Sequence, residues 1–232
     1  MNIRLITAFG ILVLGACATR PLEQGVARID HVIVGVADLD RGIAQLERLT
    51  GVRAVIGGAH PGQGTRNALM SLGAGTYLEL YAPNPAEPTS SEEVDALRRL
   101  TALRPLGWAI SGDDATRLRA LLEQNGSTVT ASEPGSRQRP DGSILHWHTF
   151  AVADLDDPAA PFFILWTEPR LHPSRTSPRG CRLKRLHIQT RANGLAQALR
   201  PLGLPVSVSV TGTSETSLAI TLICPTGQLV LR

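Results

Sequence analysis

The sequence predicts an α+β fold made of repeated β-α-β-β-β units. A β-branched run at 29–36 is followed at once by a segment whose leucines recur at helical spacing. The same order of strand, helix and short strands recurs from residues 107 and 183. Glycine and proline together make up 38 of the 232 residues (22 and 16), a share too small for a low-complexity or disordered chain.

Residues 1–16 have the pattern of a bacterial export signal. The apolar run over 5–14 is too short to span a bilayer as a mature helix. The sequence Leu14-Gly15-Ala16-Cys17 resembles a lipobox, in which the cysteine is diacylated and becomes the first residue of the mature chain. We therefore expect a signal peptide over 1–16 and a lipidated tether over 17–26. A simple export signal with an incidental cysteine is the alternative.

The mature chain is expected to face the periplasm from the outer membrane. Lipoprotein sorting usually retains at the inner membrane those chains with aspartate after the lipidated cysteine, whereas here Ala18 follows Cys17. Retention at the inner membrane and secretion are the alternatives.

The charge balance argues against a nucleic-acid partner. The chain has 23 basic and 20 acidic residues, and Lys184 is its only lysine. The arginines are scattered and aromatic residues make up 4%, so neither a basic arm nor a stacking platform is expected. The expected partners are a small-molecule ligand and the membrane lipid, with a homodimer left open.

The first unit is expected over 27–105. Asp38 and Gly51 have the residue types of a helix cap and a helix stop. The predicted order is a strand at 29–36, a helix at 39–50, strands at 52–57, 67–72 and 76–82, and a linker helix at 91–103.

The second and third units are expected over 106–180 and 181–232. In the second, a strand at 107–111 and a helix at 115–124 precede strands at 127–132, 143–152 and 161–167. In the third, a strand at 183–190 and a helix at 192–201 precede strands near 205–210, 216–223 and 228–232. Within each unit the first and fourth strands run in the same direction, so we expect them to be neighbours.

Short motifs identify the repeat more closely. They are Ile29-Asp30-His31-Val32, Ala37-Asp38-Leu39-Asp40, the segments 60–69 and 75–80, and Pro161-Phe162-Phe163-Ile164-Leu165-Trp166 followed by His172-Pro173. Over about 28–232 the chain resembles the glyoxalase-like branch of the vicinal oxygen chelate superfamily, which includes glyoxalase I, extradiol dioxygenases and bleomycin-resistance proteins. The resemblance implies two units paired into a curved sheet or cup, plus a third C-terminal copy. It leaves the function open, because one fold serves many functions.

The resemblance implies metal ligands on the first and fourth strands of each unit, pointing into the cup. In the first unit these positions are His31 and Glu79, and in the second they are Trp108 and Ile164, which are not ligands. Independently, an acidic side chain in the apolar strand around position 79 is costly to bury without a partner. This favours a His31–Glu79 pair that faces a common cavity.

A metal ion needs more ligands than this pair supplies. His146 and His148 share one face of a predicted strand, and His187 occupies the position of His31 in the third unit. The cofactor is therefore unknown, one divalent metal ion being one interpretation. In the other, His31 and Glu79 hydrogen-bond each other, polarise a water or bind the ligand directly.

The predicted loop over 57–66 is a second candidate site. Its glycines would let backbone N–H groups approach an anion, with Arg66 as partner, and a long hairpin turn is the alternative. Tyr77, Tyr81 and Trp108 are candidate ligand contacts, for which ordinary core packing is the alternative. Trp147 and Trp166 belong to the same candidate pocket.

Cys181 and Cys224 are predicted to be free thiols. An oxidising compartment favours a disulfide. However, the expected strand order places the fourth strand of the third unit between them. Two strand spacings, roughly 9–10 Å, exceed the Cα separation of roughly 7 Å that a disulfide can bridge.

We therefore expect a glyoxalase-like lipoprotein that binds a small oxygenated molecule in a β-sheet cup. One hypothesis is a lyase, isomerase or dioxygenase in which a metal at His31 and Glu79 is the Lewis acid and Glu79 is ligand or base. Another is a metal-free protein that sequesters a small molecule, of the bleomycin-resistance kind. A purely structural envelope protein is the third.

Overall fold

The computed structural model describes residues 27–73, 75–191, 193–210 and 216–232. The predicted signal peptide, the tether and lipidation at Cys17 lie outside these residues. Over the described ranges, no helix is long and apolar enough to cross a membrane.

Eight strands from the first two units close into one barrel. The strands are β1 (Arg28–Gly35), β2 (Val55–His60), β3 (Thr65–Ser71), β4 (Tyr77–Pro83), β5 (Arg104–Ser111), β6 (Glu133–Gln138), β7 (Ile144–Phe150) and β8 (Phe162–Trp166). Their order around the barrel is β1-β4-β3-β2-β6-β7-β8-β5. The cup of the first unit is therefore completed by the second unit of the same chain.

The first and fourth strands of both units are parallel neighbours, as expected. β1 pairs with β4 from His31 opposite Tyr77 to Gly35 opposite Tyr81, and β5 pairs with β8. Because side chains alternate between the two faces of a strand, residues 31, 77, 79 and 81 all line the interior cavity.

Three helices accompany the barrel strands: α1 (Leu39–Thr50), α2 (Glu92–Arg98) and α3 (Ala115–Gln124). The Asp38 side chain accepts a hydrogen bond from the backbone N–H of Arg41, and Gly51 ends α1 with a φ of 73°. The linker helix is shorter than the predicted 91–103, since it ends at Arg98.

Two strands of the barrel depart from the sequence prediction. β2 extends to His60, beyond the predicted end at residue 57. The strand predicted over 127–132 is reduced to a single bridge between Val129 and Val152, and the ladder runs instead through β6.

The third unit forms a separate four-stranded sheet. A short helix α4 (Pro173–Thr176) leads to β9 (Arg182–Thr190), α5 (Asn193–Leu199), β10 (Val206–Val210), β11 (Ser217–Cys224) and β12 (Gly227–Leu231). The strand order is β10-β9-β11-β12, with β9 and β10 parallel. The expectation that its first and fourth strands are neighbours is wrong, because the first strand lies between the second and the third.

This strand order also overturns the prediction of free thiols. β9 and β11 are adjacent antiparallel strands, and Ile223 lies opposite Arg182. Cys181 and Cys224 are therefore opposite each other, with a Cα–Cα distance of 4.2 Å, and form a disulfide. The fourth strand lies on the other side of β11 and does not separate them.

The hydrophobic core lies mainly between the layers, leaving polar groups inside the barrel. Buried side chains of α1, such as Leu39 and Leu46, belong to the same core as Leu186 and Ile220 of the second sheet. Thr226 at the β11–β12 turn donates to the carbonyl oxygen of Leu49 at 2.6 Å. The second sheet is thus joined to the outer layer of the barrel.

Candidate functional site

The interior of the barrel encloses a cavity of about 710 Å³, within the range of small-molecule sites. Its wall combines aromatic rings with a compact cluster of polar side chains. A larger groove of about 1070 Å³ lies between α2, β5 and the second sheet. It lacks the buried polar cluster, so we take the interior cavity as the candidate site.

Glu79 is the centre of the polar wall. It is 7% exposed, although it lies in an otherwise apolar strand. Nδ2 of Asn67 donates to its Oε1 at 2.7 Å. Nε2 of His31 lies 3.6 Å from Oε2, and Nε2 of His60 lies 3.7 Å from Oε1. The carboxylate is thus held by one hydrogen bond and approached by two imidazoles.

His31 is oriented by the residue before it. Nδ1 of His31 lies 2.8 Å from Oδ1 of the fully buried Asp30. A carboxylate only accepts hydrogen bonds, so Nδ1 of His31 carries a proton, and Nε2 is the nitrogen that faces Glu79. The β1–β5 register shifts between Ile29 and His31, and bulges of this kind re-aim side chains beside functional sites.

Asp30 is held as a buried negative charge. Oδ2 of Asp30 accepts from Nε1 of Trp166 at 3.0 Å and lies 3.0 Å from Nε2 of His172. Burial alone would raise the pKa of Asp30. Hydrogen bonds from His172 and His31 nevertheless hold it well below its usual value.

Asp30, His172 and Ser174 have the residue types of a nucleophilic triad, but their geometry is structural. Nδ1 of His172 lies 2.8 Å from the Ser174 hydroxyl and also accepts from the backbone N–H of Ser174 at 3.2 Å, so His172 caps α4. His172 and Ser174 are each 5% exposed, and neither lines the cavity. Their role is to hold Asp30 in place.

His60 is neutral at neutral pH. Burial lowers its pKa, and Arg137 and His31 lower it further, while Glu79 opposes the shift. Nδ1 of His60 lies 3.0 Å from the Thr65 hydroxyl, which leaves Nε2 facing the cavity side.

Arg137 is the polar contribution of the second unit. Its Nη1 donates to Oδ1 of Asn67 at 3.4 Å. Burial lowers the pKa of Arg137, whereas Tyr77 and Glu79 raise it. Gly57 makes room for this contact, because a Cβ there would lie 2.2 Å from Oδ1 of Asn67 and 2.8 Å from Nη1 of Arg137.

Aromatic rings form the rest of the wall. The Tyr77 ring stacks on His31 at 4.6 Å, and the Trp147 and Trp166 rings lie 5.5 Å apart. Burial raises the pKa of Tyr77 and of Tyr81, so both hydroxyls stay protonated. Such rings suit the apolar part of a small ligand.

Several of the candidate residues meet in this cavity. His31, Glu79, Tyr77, Tyr81 and Trp108 all line it. The indole N–H of Trp108 donates to the carbonyl oxygen of Ala159 at 2.9 Å, so this ring is also a core residue.

Arg66 does not line the cavity, although His60 and Gln63 of the loop expected around it do. β2 continues to His60 and β3 begins at Thr65, so only residues 61–64 form a turn. Arg66 lies next to the inward-facing Asn67, and its Nη2 lies 3.4 Å from Oδ2 of Asp40. Arg66 is therefore not among the residues that line the cavity, and its role as partner of an anion stays a prediction.

The additional histidines also lie elsewhere. His146 and His148 are exposed on β7, and His187 lies on β9 in the second sheet. None of them lines the cavity with His31 and Glu79.

The residues present do not form a metal site to which both units of the barrel contribute ligands. Trp108 and Ile164 stand at the two matching positions of the second unit, and Asn67 already donates to Glu79. Across the described part of the chain, no group of three or more His, Cys, Asp or Glu side chains could hold a metal ion.

Sequence reasoning missed Asp30, His60, Asn67 and Arg137. One signal was available for Asn67. It lies on the same face of its strand as Leu69 and directly precedes the apolar run 68–70. No local signal marks Arg137, because its strand contains Pro134 and Gly135.

Comparison with solved structures finds the same fold at low identity. A hypothetical protein from Staphylococcus aureus is 16% identical with a TM-score of 0.58, covering 89% of this chain and 85% of that chain. Methylmalonyl-CoA epimerase from Mycobacterium tuberculosis is 21% identical with a TM-score of 0.44, covering 62% of this chain and 91% of that chain. The Streptomyces coelicolor epimerase, bound to 2-nitronate-propionyl-CoA, is 20% identical with a TM-score of 0.43, covering 61% and 98%.

The search of curated proteins finds no match. Comparison with protein families matches residues 29–203 to the glyoxalase-like domain. This confirms the resemblance seen in the sequence motifs, and the match spans most of the chain. The protein belongs to the glyoxalase-like domain family.

Proposed function

We propose that this protein binds a small oxygenated molecule inside the barrel and that Glu79 contacts its oxygen atoms. The observation that carries the proposal is the nearly buried Glu79 carboxylate on the cavity wall, held by Asn67 and faced by His31 and His60. A buried ionisable group that converges with other polar groups in a cavity is characteristic of a binding site.

The partners of Glu79 suit a ligand with hydroxyl groups. Its Oε1 is engaged by Asn67, while Oε2 lies 3.6 Å from Nε2 of His31 without a close hydrogen bond. A ligand hydroxyl could donate to Oε2, and a second hydroxyl of the same ligand could donate to Nε2 of His31. Because Glu79 and His31 are buried, these bonds would count for more than they do at a surface.

A ligand panel tests the proposal by thermal unfolding. We expect catechol, mandelate or mandelamide to raise the Tm of the wild-type protein by binding the folded state. The Glu79→Gln variant should lose this stabilisation. Glu47→Gln is the matched control, since Glu47 lies outside the cavity on α1 and pairs with Arg53. Equal stabilisation of all three proteins would contradict the proposal.

A second candidate function is proton transfer, as in an isomerase or a lyase. The Asp30–His31 pair favours it, because a buried carboxylate stabilises the protonated imidazole that proton transfer produces. Glu79 would take the proton from a carbon beside a carbonyl and pass it to Nε2 of His31, and the resulting imidazolium could return a proton to that carbon. Deuterium incorporation from D₂O into a bound probe, followed by NMR, should occur in the wild type and stop in Glu79→Gln. Binding without exchange would leave sequestration as the function.

Metal analysis of the purified protein accompanies these tests. The side chains of the cavity do not form a metal site supplied by both units, so we expect no stoichiometric metal ion. A stoichiometric ion that is lost in the His31→Ala, Glu79→Ala variant would instead support the metal-dependent enzyme.

We also propose that the protein is an outer-membrane lipoprotein anchored through Cys17 and facing the periplasm. The lipobox-like motif after the apolar run supports this proposal. The disulfide between Cys181 and Cys224 also supports it, because disulfides persist in exported proteins.

A further inference from the structure

Arg137 places a buried and poorly satisfied cation on the cavity wall. The residue is 5% exposed and lines the cavity together with Asn67 and Glu79. A guanidinium has five N–H donors. Over the described residues, its one side-chain hydrogen bond is the 3.4 Å contact with Oδ1 of Asn67, and its buried Nε–H has no partner.

Two other arginines share this feature but have additional partners. Arg66 and Arg119 each have one buried nitrogen without a partner. Arg66, however, faces the carboxylate of Asp40, and Arg119 donates to Thr130 at 2.9 Å while its guanidinium covers the Phe150 ring. Arg137 has neither a carboxylate nor a ring partner, and it lies at the cavity.

The fold is built to keep Arg137 in this position. Residue 57 is a glycine where any Cβ would collide with both Asn67 and Arg137. The Asn67 amide accepts from Arg137 and donates to Glu79, so it links the cation to the carboxylate without letting them pair directly. A buried charge without a direct counter-ion is costly, and a bound anion would offset that cost.

We infer that the ligand of this cavity carries a carboxylate that binds Arg137. A second oxygen-bearing group, next to the carboxylate in the ligand, contacts Glu79 and His31. The inference rests on the proposed function and names the ligand class. The planar guanidinium fork matches a carboxylate. A phosphate is disfavoured because the Glu79 carboxylate is linked to Arg137 through one amide and the exposed Glu93 and Glu133 also line the cavity.

The remaining wall defines the rest of the ligand. Trp147, Trp166 and Phe162 supply apolar surface on the same cavity. The ligand class is therefore a hydroxy acid with an apolar or aromatic substituent. Mandelate has these three parts, and mandelamide differs from it only in the charged group.

The test measures the Kd of mandelate and mandelamide by calorimetry. We expect wild-type protein to bind mandelate at least about tenfold more tightly, as hydrogen bonds to charged groups contribute this much. Arg137→Gln should weaken the binding of mandelate more than that of mandelamide, and so remove the preference. Arg66→Gln, which alters an arginine on β3 that does not line the cavity, should keep the preference.

Several outcomes would overturn the inference. Equal affinity of wild type for mandelate and mandelamide would do so, and this comparison needs no variant, so it decides even if Arg137→Gln fails to fold. Three other results would also overturn the inference. They are a preference for mandelate that is retained in Arg137→Gln, competition by inorganic phosphate as strong as that by mandelate, and no binding of mandelate. If mandelamide or catechol still binds in a way that depends on Glu79, the proposed function stands and only the further inference fails. If neither binds in this way, both the proposed function and the further inference fail.

Discussion

At the scale of single residues, the site depends on the orientation of its amide and imidazole side chains. The Asn67 amide has its oxygen toward Arg137 and its nitrogen toward Glu79. His31 has Nδ1 toward Asp30 and Nε2 toward Glu79. Each central side chain is therefore oriented by a partner behind it, which is how binding groups keep a fixed geometry before the ligand arrives.

Asp30→Asn tests the importance of this support. The amide would turn an N–H₂ group toward one of the donors now held by the carboxylate, leaving buried polar groups unpaired. We expect a loss of about 3–5 kcal/mol in the free energy of unfolding, measured by urea denaturation. Asp38→Asn is the matched control, because asparagine caps a helix as well as aspartate does. Equal stability losses in both variants would contradict the assignment.

The family resemblance and the cost of burying an acidic side chain in an apolar strand predict His31 and Glu79 from the sequence, but they do not predict the partners of these residues. Both lie in apolar strands where alternation is easy to read. Asn67 and Arg137 meet only because β2 joins β6 across the two units. Contacts between distant segments have no local signal, whereas the inward face of one strand does.

At the scale of elements, the glycines at 57 and 58 explain why β2 is longer than predicted. Gly57 and Gly58 favour a turn in the sequence, yet both lie within the strand. They are needed there because a Cβ on Gly58 would lie 1.8 Å from the carbonyl oxygen of Gln138. Gly135 in β6 is required for the same kind of reason, since the Trp147 indole packs against it.

Gly57→Ala tests this explanation. The added methyl group would displace Asn67 and Arg137, and we expect about 1–3 kcal/mol of destabilisation, as in overpacked cores. Stabilisation by catechol should fall as well. Gly194→Ala in α5 is the control, because its Cβ would meet only Leu155 at 3.7 Å and alanine favours a helix. If both variants unfold at the wild-type midpoint, the steric account is wrong.

At the scale of the whole molecule, a cluster of buried ionisable groups lies inside the barrel while the main hydrophobic core lies outside it. The order of elements in the first two units could be predicted from the sequence, because each has a clear strand and capped helix. The order of strands in the third unit could not, because the same sequence of elements allows β9 to pair with either the second or the fourth strand.

The interior groups make stability depend on pH. The pKa of His60 is lower in the folded state, so the unfolded chain takes up a proton first as the pH falls. Stability should therefore decrease below pH about 6.5, the usual pKa of histidine. It should decrease again below about 3.9, because the folded pKa of Asp30 is also lowered. Urea unfolding from pH 8 to 3 measures this, and His60→Gln should remove the first decrease only. If the first decrease in stability persists in His60→Gln, a titratable group other than His60 causes it.

The position of the whole molecule in the cell is tested at Cys17. Cys17→Ser removes the attachment site for a diacyl group, and without acyl chains the mature chain has little affinity for a bilayer. We expect the full-length variant to move from the membrane fraction to the soluble fraction, detected by immunoblot. Cys181→Ser with Cys224→Ser is the control, since it removes the disulfide and keeps Cys17. A Cys17→Ser protein that stays in the membrane fraction would contradict lipid anchoring, whatever the cavity binds.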